Sequence, residues 1–97
     1  MLASEYVARG WCQGADARDK DEYSISVRDP SAVKWCLVGA IYASNEPPYG
    51  GRLANILEIC RKLTGGLRPT IWNDKPERTQ AQVVELLQEA EALTLGG

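Results

Sequence analysis

The sequence contains no histidine, and this absence restricts the chemistry that its 97 residues can perform. Histidine is the usual base beside a cysteine nucleophile and a frequent ligand of zinc. The three cysteines, Cys12, Cys36 and Cys60, lie far apart, so no two have the short spacing of a zinc knuckle or a redox dithiol. We therefore expect no metal site and no cofactor, and we interpret the cysteines as reduced, largely buried thiols.

Long apolar stretches are also missing. The longest, residues 36–43, is far shorter than the roughly 20 residues that a membrane-spanning helix requires. Residues 1–5 lack the basic and apolar segments of a secretory signal, so we expect a cytoplasmic protein without membrane contact. The glycine pairs at 50–51 and 65–66 lack the strand before and the lysine after that a phosphate-binding loop needs.

The composition is that of an ordinary globular domain, with 44% apolar and 25% charged residues. A chain of 97 residues supports one modest core, so we expect one domain over residues 1–97. The net charge of -2 is unevenly placed. Residues 52–78 hold six basic and three acidic side chains, a local charge of +3, whereas residues 16–22 are mainly acidic. The basic segment supports one alternative function, weak binding of nucleic acid.

Helical periodicity marks four segments of the chain. The first covers residues 2–7 and ends at Gly10. The second has Asp29 as its N-cap and Pro30 at its first position, and it extends to about Ser44 as the central helix of the core. Within it, Gly39 would allow another backbone to approach closely.

The remaining two helices are predicted at residues 52–64, before the glycine pair, and from Thr79, where Gln82 completes a capping box. Their inward stripes are Leu53, Ile56, Leu57, Cys60 and Leu63, and Val83, Leu86, Leu87, Ala90 and Leu93. Residues 23–27 alternate like a short strand, with residues 70–72 or a second chain as its partner. We expect a mainly α fold: a compact bundle of about four helices with a short strand or hairpin between helices 1 and 2.

Four short segments occur in an order that resembles a known family: Gly10-Trp11-Cys12-Gln13-Gly14, Ala17-Arg18-Asp19, residues 32–41, and Trp72 to Thr79. Together they are similar to domain of unknown function 6197, a family of small uncharacterised bacterial and phage proteins. The resemblance covers most of the chain. It implies a helical module from bacteria or their mobile elements, with no established catalytic residues to transfer.

The segment 72–79 carries the most information. Asn73 and Asp74 suit a turn, Thr79 caps the next helix, and Trp72 would fill the core beside that helix. Arg78 is expected to pair with Asp74 or Asp19. We combine this segment with the basic third helix into one candidate binding surface: Arg52, Arg61, Lys62, Trp72, Asn73, Asp74 and Arg78.

These features favour a non-enzymatic protein-binding module, with an inhibitor of a host defence complex as a specific form of that hypothesis. A protein partner without known identity is expected, because binding requires a surface and no catalytic group. The alternative is a minimal hydrolase or transferase that uses Cys12 with Arg18 and Asp19. A buried Cys12 sulfur would count against it.

Overall fold

The computed structural model describes residues 2–44 and 52–95, with side chains given for all of these except 52–55 and 94–95. Its elements, in chain order, are α1 (Ala3–Arg9), β1 (Ala17–Arg18), β2 (Lys34–Trp35), α2 (Leu37–Ser44), α3 (Arg52–Leu63), α4 (Pro69–Asn73) and α5 (Gln80–Leu95). The fold is mainly helical, with a small two-stranded sheet between α1 and α2, as predicted. The proline- and glycine-rich loop predicted at residues 45–51 lies outside the described residues.

The two strands pair in antiparallel register, with Ala17 opposite Trp35 and Arg18 opposite Lys34. Residues 23–27 do not form the predicted strand: they make an isolated bridge between Ser24 and Arg18, with backbone hydrogen bonds from Asp19 N–H to the Tyr23 carbonyl and from Ile25 N–H to the Ala17 carbonyl. A tight turn at Asp19–Glu22 returns the chain, and Glu22 has a φ of 69° there. The partner predicted for that strand, residues 70–72, lies in helix α4.

Helix α2 begins at Leu37, seven residues later than the Asp29–Pro30 signal predicts. Asp29 does accept bonds from the backbone N–H and the hydroxyl of Ser31, at 2.8 and 2.7 Å, but these close a turn. Cys36 precedes the helix, and its sulfur accepts a hydrogen bond from Gly39 N–H at 3.2 Å. The Asp29–Pro30 signal therefore forms a turn instead of starting a helix, because the residues that follow it belong to the sheet.

The core lies where α1, α2, α3 and α5 meet. Its largest fully buried apolar side chains are Val7, Leu37, Ile41, Val83 and Leu87. Helix α2 is central, as predicted, because five of its residues are buried: Leu37, Gly39, Ala40, Ile41 and Ala43. One large side chain of this helix, Tyr42, is exposed.

Helices α3 and α5 follow their predicted bounds closely. Gly65 and Gly66 end α3. Their φ angles of 77° and 95° lie in the left-handed region, which glycine adopts more readily than other residues. At α5 the capping box forms: Thr79 N–H donates to Gln82 at 3.0 Å, and Gln82 N–H donates to the Thr79 hydroxyl at 3.2 Å. Two residues assigned to the inward stripes, Leu63 and Leu93, are exposed, since each lies in the last turn of its helix beyond the packed part.

A buried polar contact joins the first and last helices. Glu91 of α5 accepts hydrogen bonds from the Ser4 backbone N–H at 3.1 Å and from the Ser4 hydroxyl at 2.5 Å. Both residues are buried. Because Ser4 lies in the first turn of α1, the carboxylate also faces the end of the helix where N–H groups are unpaired, which stabilises negative charge.

Candidate functional site

The seven predicted site residues lie on three neighbouring pieces of the fold. Arg61 and Lys62 are in the last turn of α3, Trp72 and Asn73 are in α4, and Asp74 follows α4 directly. Arg78 precedes α5, and the side chain of Arg52 lies outside the described side chains. Helices α3 and α4 contact each other, so the site residues on α3 lie near those on and directly after α4.

Asn73 has no exposed surface and uses the full hydrogen-bonding capacity of its amide. Its oxygen accepts from the Trp11 indole N–H at 2.8 Å and from Leu37 N–H at 3.1 Å. Its nitrogen donates to the Cys12 carbonyl at 3.1 Å and to the Asp74 carboxylate at 2.9 Å. This side chain therefore joins α4 to the start of α2 and to the segment after α1.

Gln13 and Gly14 add further bonds between the same two segments. The Gln13 amide nitrogen donates to the Asn73 and Lys75 carbonyls, at 2.9 Å each. The Gly14 N–H donates to the Asp74 carboxylate at 3.1 Å. The two sequence segments that stood out, 10–14 and 72–79, are thus partners of each other. Asn73 and Asp74 hold the fold together, and this accounts for them without a ligand.

Arg78 makes neither of the ion pairs predicted for it. Its Nε donates to the Trp72 carbonyl at 2.9 Å, and its guanidinium lies 3.8 Å from the centre of the Trp72 ring. This cation–π contact covers one face of the half-buried indole. The pairing with Asp74 or Asp19 fails because the chain turns at 74–78 and brings Arg78 back over the tryptophan instead.

The exposed end of α3 and the start of α4 form a surface that is both basic and apolar. Leu63 is 39% exposed, Leu67 38% and Ile71 48%. Lys62 and Arg68 are exposed beside them, and residues 61–71 contain three basic residues and no acidic one. We call Lys62, Leu63, Leu67, Arg68 and Ile71 the α3–α4 corner.

The basic residues of this corner belong to the basic segment predicted from the sequence, whereas its exposed apolar residues were not predicted. Leu63 continues the apolar stripe of α3, which predicts burial, and Leu67 and Ile71 belong to no long periodic segment. The charge of Arg61 is partly balanced, since its guanidinium bonds the Glu58 carboxylate at 2.8 Å and lowers the pKa of that group. Arg68 forms no ion pair within the described residues.

The three cysteines are free and buried, as predicted, with 6%, 4% and 1% exposure for Cys12, Cys36 and Cys60. Burial raises the pKa of Cys12, and it raises the pKa of Cys36 to about 11 and that of Cys60 to about 12. The Cys12 thiol donates to the Ala15 carbonyl at 3.4 Å. A nucleophile needs a lowered pKa and access, so this environment counts against a catalytic Cys12.

A small open cavity of approximately 160 Å³ lies between the loop at residues 14–16 and helix α4. It is lined by Gly14, Ala15, Asp16, Cys36, Thr70 and Asp74. Asp16 and Thr70 are exposed at its rim. Asp16, at the start of the acidic segment, thus lies near Thr70 of α4, although the two residues are distant in sequence.

The described residues contain no group of three or more Cys, Asp or Glu side chains arranged to hold a metal ion. No helix among them combines the length and apolar character needed to cross a membrane.

The fold and site define a small, mainly helical domain whose distinctive polar residues bond segments of its own chain. A family model described as a family of unknown function, DUF6197, matches residues 2–93, and the chain belongs to this family. No curated protein and no solved structure matches the chain.

Proposed function

We propose that this chain is a non-enzymatic protein-binding module that docks an acidic partner surface on the α3–α4 corner. The observation that carries the proposal is the exposure of Leu63, Leu67 and Ile71 among basic side chains. Aliphatic side chains in the centre of a contact and charges at its rim are the usual composition of protein interfaces. A partner with carboxylates around an apolar patch would complement this corner in both respects.

The other residues selected from the sequence favour this assignment by their internal roles. Asn73 and Asp74 form hydrogen bonds with other residues of the same chain, and Cys12 is buried with a raised pKa. A cysteine-dependent hydrolase would require an accessible thiolate, which this environment disfavours. The α3–α4 corner therefore remains available for recognition.

Nucleic-acid binding is less well supported than protein binding. Single-stranded nucleic acids stack their bases on exposed aromatic side chains. Trp72, the aromatic residue in the basic segment, is half-buried and has Arg78 over its ring. The exposed apolar residues of the corner are aliphatic, which suits protein side chains better than bases.

The proposal is tested by affinity capture from an extract of the source cells, followed by quantitative mass spectrometry. The corner variant is Leu67→Ser with Ile71→Ser, and the matched control is Leu93→Ser, an exposed leucine on α5. Circular dichroism first establishes that all variants are folded. We expect the wild type and the control to retain the same acidic protein, and the corner variant to lose it.

Equal retention by all three proteins, or retention of nucleic acid alone, would contradict the proposal. The identity of the retained protein would also decide whether the partner belongs to a host defence complex, the specific form of the hypothesis. Addition of about 0.5 M salt to the wash provides a second readout, because a charged rim is weakened by screening.

A further inference from the structure

We infer that the α3–α4 corner docks on the acidic segment of a second copy of this chain, which forms a two-fold symmetric dimer. This inference rests on the proposed function, since it names a partner for the same surface. Its basis is charge complementarity within the molecule. The acidic segment comprises Asp16, Asp19, Asp21 and Glu22.

The two surfaces are adjacent but do not neutralise each other within one molecule. Asp16 and Thr70 line the same open cavity, so the acidic segment begins where α4 begins. Even so, the two ion pairs found among the described residues are Lys34 with Glu22 and Arg61 with Glu58, and neither connects the two surfaces. Arg68 and Asp16 thus remain available to a second molecule.

Of the two basic residues inside the acidic segment, Arg18 is committed to the backbone, whereas Lys20 is exposed. Arg18 donates to the carbonyls of Glu22 at 2.8 Å and of Gln13 at 3.1 Å, which fixes its guanidinium against the backbone. The carboxylate of Asp21 accepts no hydrogen bond within the described part of the chain, although its own N–H bonds Asp19. With four acidic and two basic residues, segment 16–22 carries a net charge of -2.

Adjacent patches of opposite charge are self-complementary under two-fold rotation. An axis that lies in the contact plane, between the two patches, places each basic corner opposite the acidic segment of the other copy. The charge contact is made twice, and the aliphatic side chains of both corners are removed from water. An anionic membrane would match the basic corner but would repel the acidic segment beside it.

Sedimentation velocity of the full chain, from about 1 µM to about 1 mM, tests the inference. We expect a monomer–dimer equilibrium that shifts toward monomer at about 0.5 M salt, because the contact is ionic at its rim. Arg68→Glu and Asp16→Lys should each raise the dimer dissociation constant about tenfold or more, since each change acts twice in the dimer.

The combined variant with both charge reversals should dimerise nearly as well as the wild type, since opposite charges again face each other. Mixed with wild type it should form few hybrid dimers, because like charges would then meet. Arg9→Glu and Glu89→Lys are the matched controls: they make the same charge changes at exposed positions on α1 and α5 and should leave the equilibrium unchanged.

A chain that stays monomeric at the highest concentration overturns the dimer, and so does a dimer that neither reversal weakens. The salt series on the wild type keeps the test decisive if a variant fails to fold. If the wild type is monomeric and its corner still retains an acidic protein in the capture experiment, this inference fails and the proposed function stands. If capture also fails, both are wrong.

Discussion

Single residues in this molecule act mainly as connections between distant parts of the chain. Asn73 bonds groups that lie 36 to 62 residues away in sequence. The sequence predicted that residues 73 and 74 form local structure, and Asp74 does follow the last turn of α4. It could not predict the long-range partners, since those bonds depend on how the folded elements meet and not on any local spacing.

We predict that Asn73→Ala destabilises the fold by about 3 kcal/mol or more. The substitution removes the partner of the buried Leu37 N–H, of the half-buried Trp11 indole N–H and of the Cys12 carbonyl, and a buried group without a partner costs about 1–3 kcal/mol. Urea unfolding monitored by tryptophan fluorescence would measure it. Asp74→Ala, at an exposed position, should cost about 1 kcal/mol. Similar small losses for both variants would contradict the role given to Asn73.

For Cys12 we expect slow alkylation in the folded protein. Iodoacetamide reacts with the thiolate, and burial both raises the pKa of Cys12 and blocks access to its sulfur. Peptide mass spectrometry would compare the rate at neutral pH with that of the chain unfolded in urea. Cys60, the most buried thiol, serves as an internal reference. A native Cys12 rate above the unfolded rate would restore the catalytic alternative.

Helices were predictable where their start and end signals are local. The prediction failed where residues pair with a strand that is remote in sequence. The capping box of α5 and the glycine end of α3 depend on neighbours within a few residues, and both are found. The start of α2 was wrong because Lys34 and Trp35 pair with Ala17 and Arg18, and Trp35 also bridges Trp11. Those partners are remote, and their pairing satisfies backbone groups that a helix would otherwise use.

Gly39 gives a prediction for the packing of α2. A Cβ at this position would lie 1.8 Å from the Asp16 carbonyl oxygen, so backbone would have to move. We expect Gly39→Ala to lose about 2–3 kcal/mol, even though alanine favours a helix by about 1 kcal/mol. Chemical denaturation would measure the loss.

Gly66→Ala is the comparison for Gly39, because its added Cβ meets nothing and the strain comes only from a φ of 95°. That strain should cost about 1–2 kcal/mol. If Gly39→Ala proves neutral or stabilising, the close approach of the 14–16 turn to α2 is wrong.

The whole molecule combines a small core with three thiols that are neutral inside it. Its radius of gyration of 12.4 Å is close to the roughly 12.5 Å expected for a compact chain of this length. A core this small has few apolar groups to spare, so the thiols count as part of its hydrophobic content. Their ionisation is therefore linked to unfolding of the entire chain.

We expect alkaline pH to destabilise the fold. A thiol with an ordinary pKa of 9.0 ionises in the unfolded chain, while burial holds Cys36 near 11 and Cys60 near 12 in the folded one. The native state then binds more protons, so the stability that neutral thiols contribute is complete below pH 9 and is lost as pH rises toward the folded pKa values. Each thiol should cost about 1 kcal/mol between pH 9 and pH 10.

Urea denaturation at pH 8, 9 and 10 would measure this loss as a falling free energy of unfolding. Cys60→Ala provides the control. It lowers stability at every pH by removing buried volume, but its free energy of unfolding should fall less steeply with pH, because one ionising thiol has been removed. A wild-type slope that Cys60→Ala leaves unchanged would mean that other groups cause the loss. A flat profile to pH 10 would mean that the thiols ionise as readily in the folded chain as in the unfolded one.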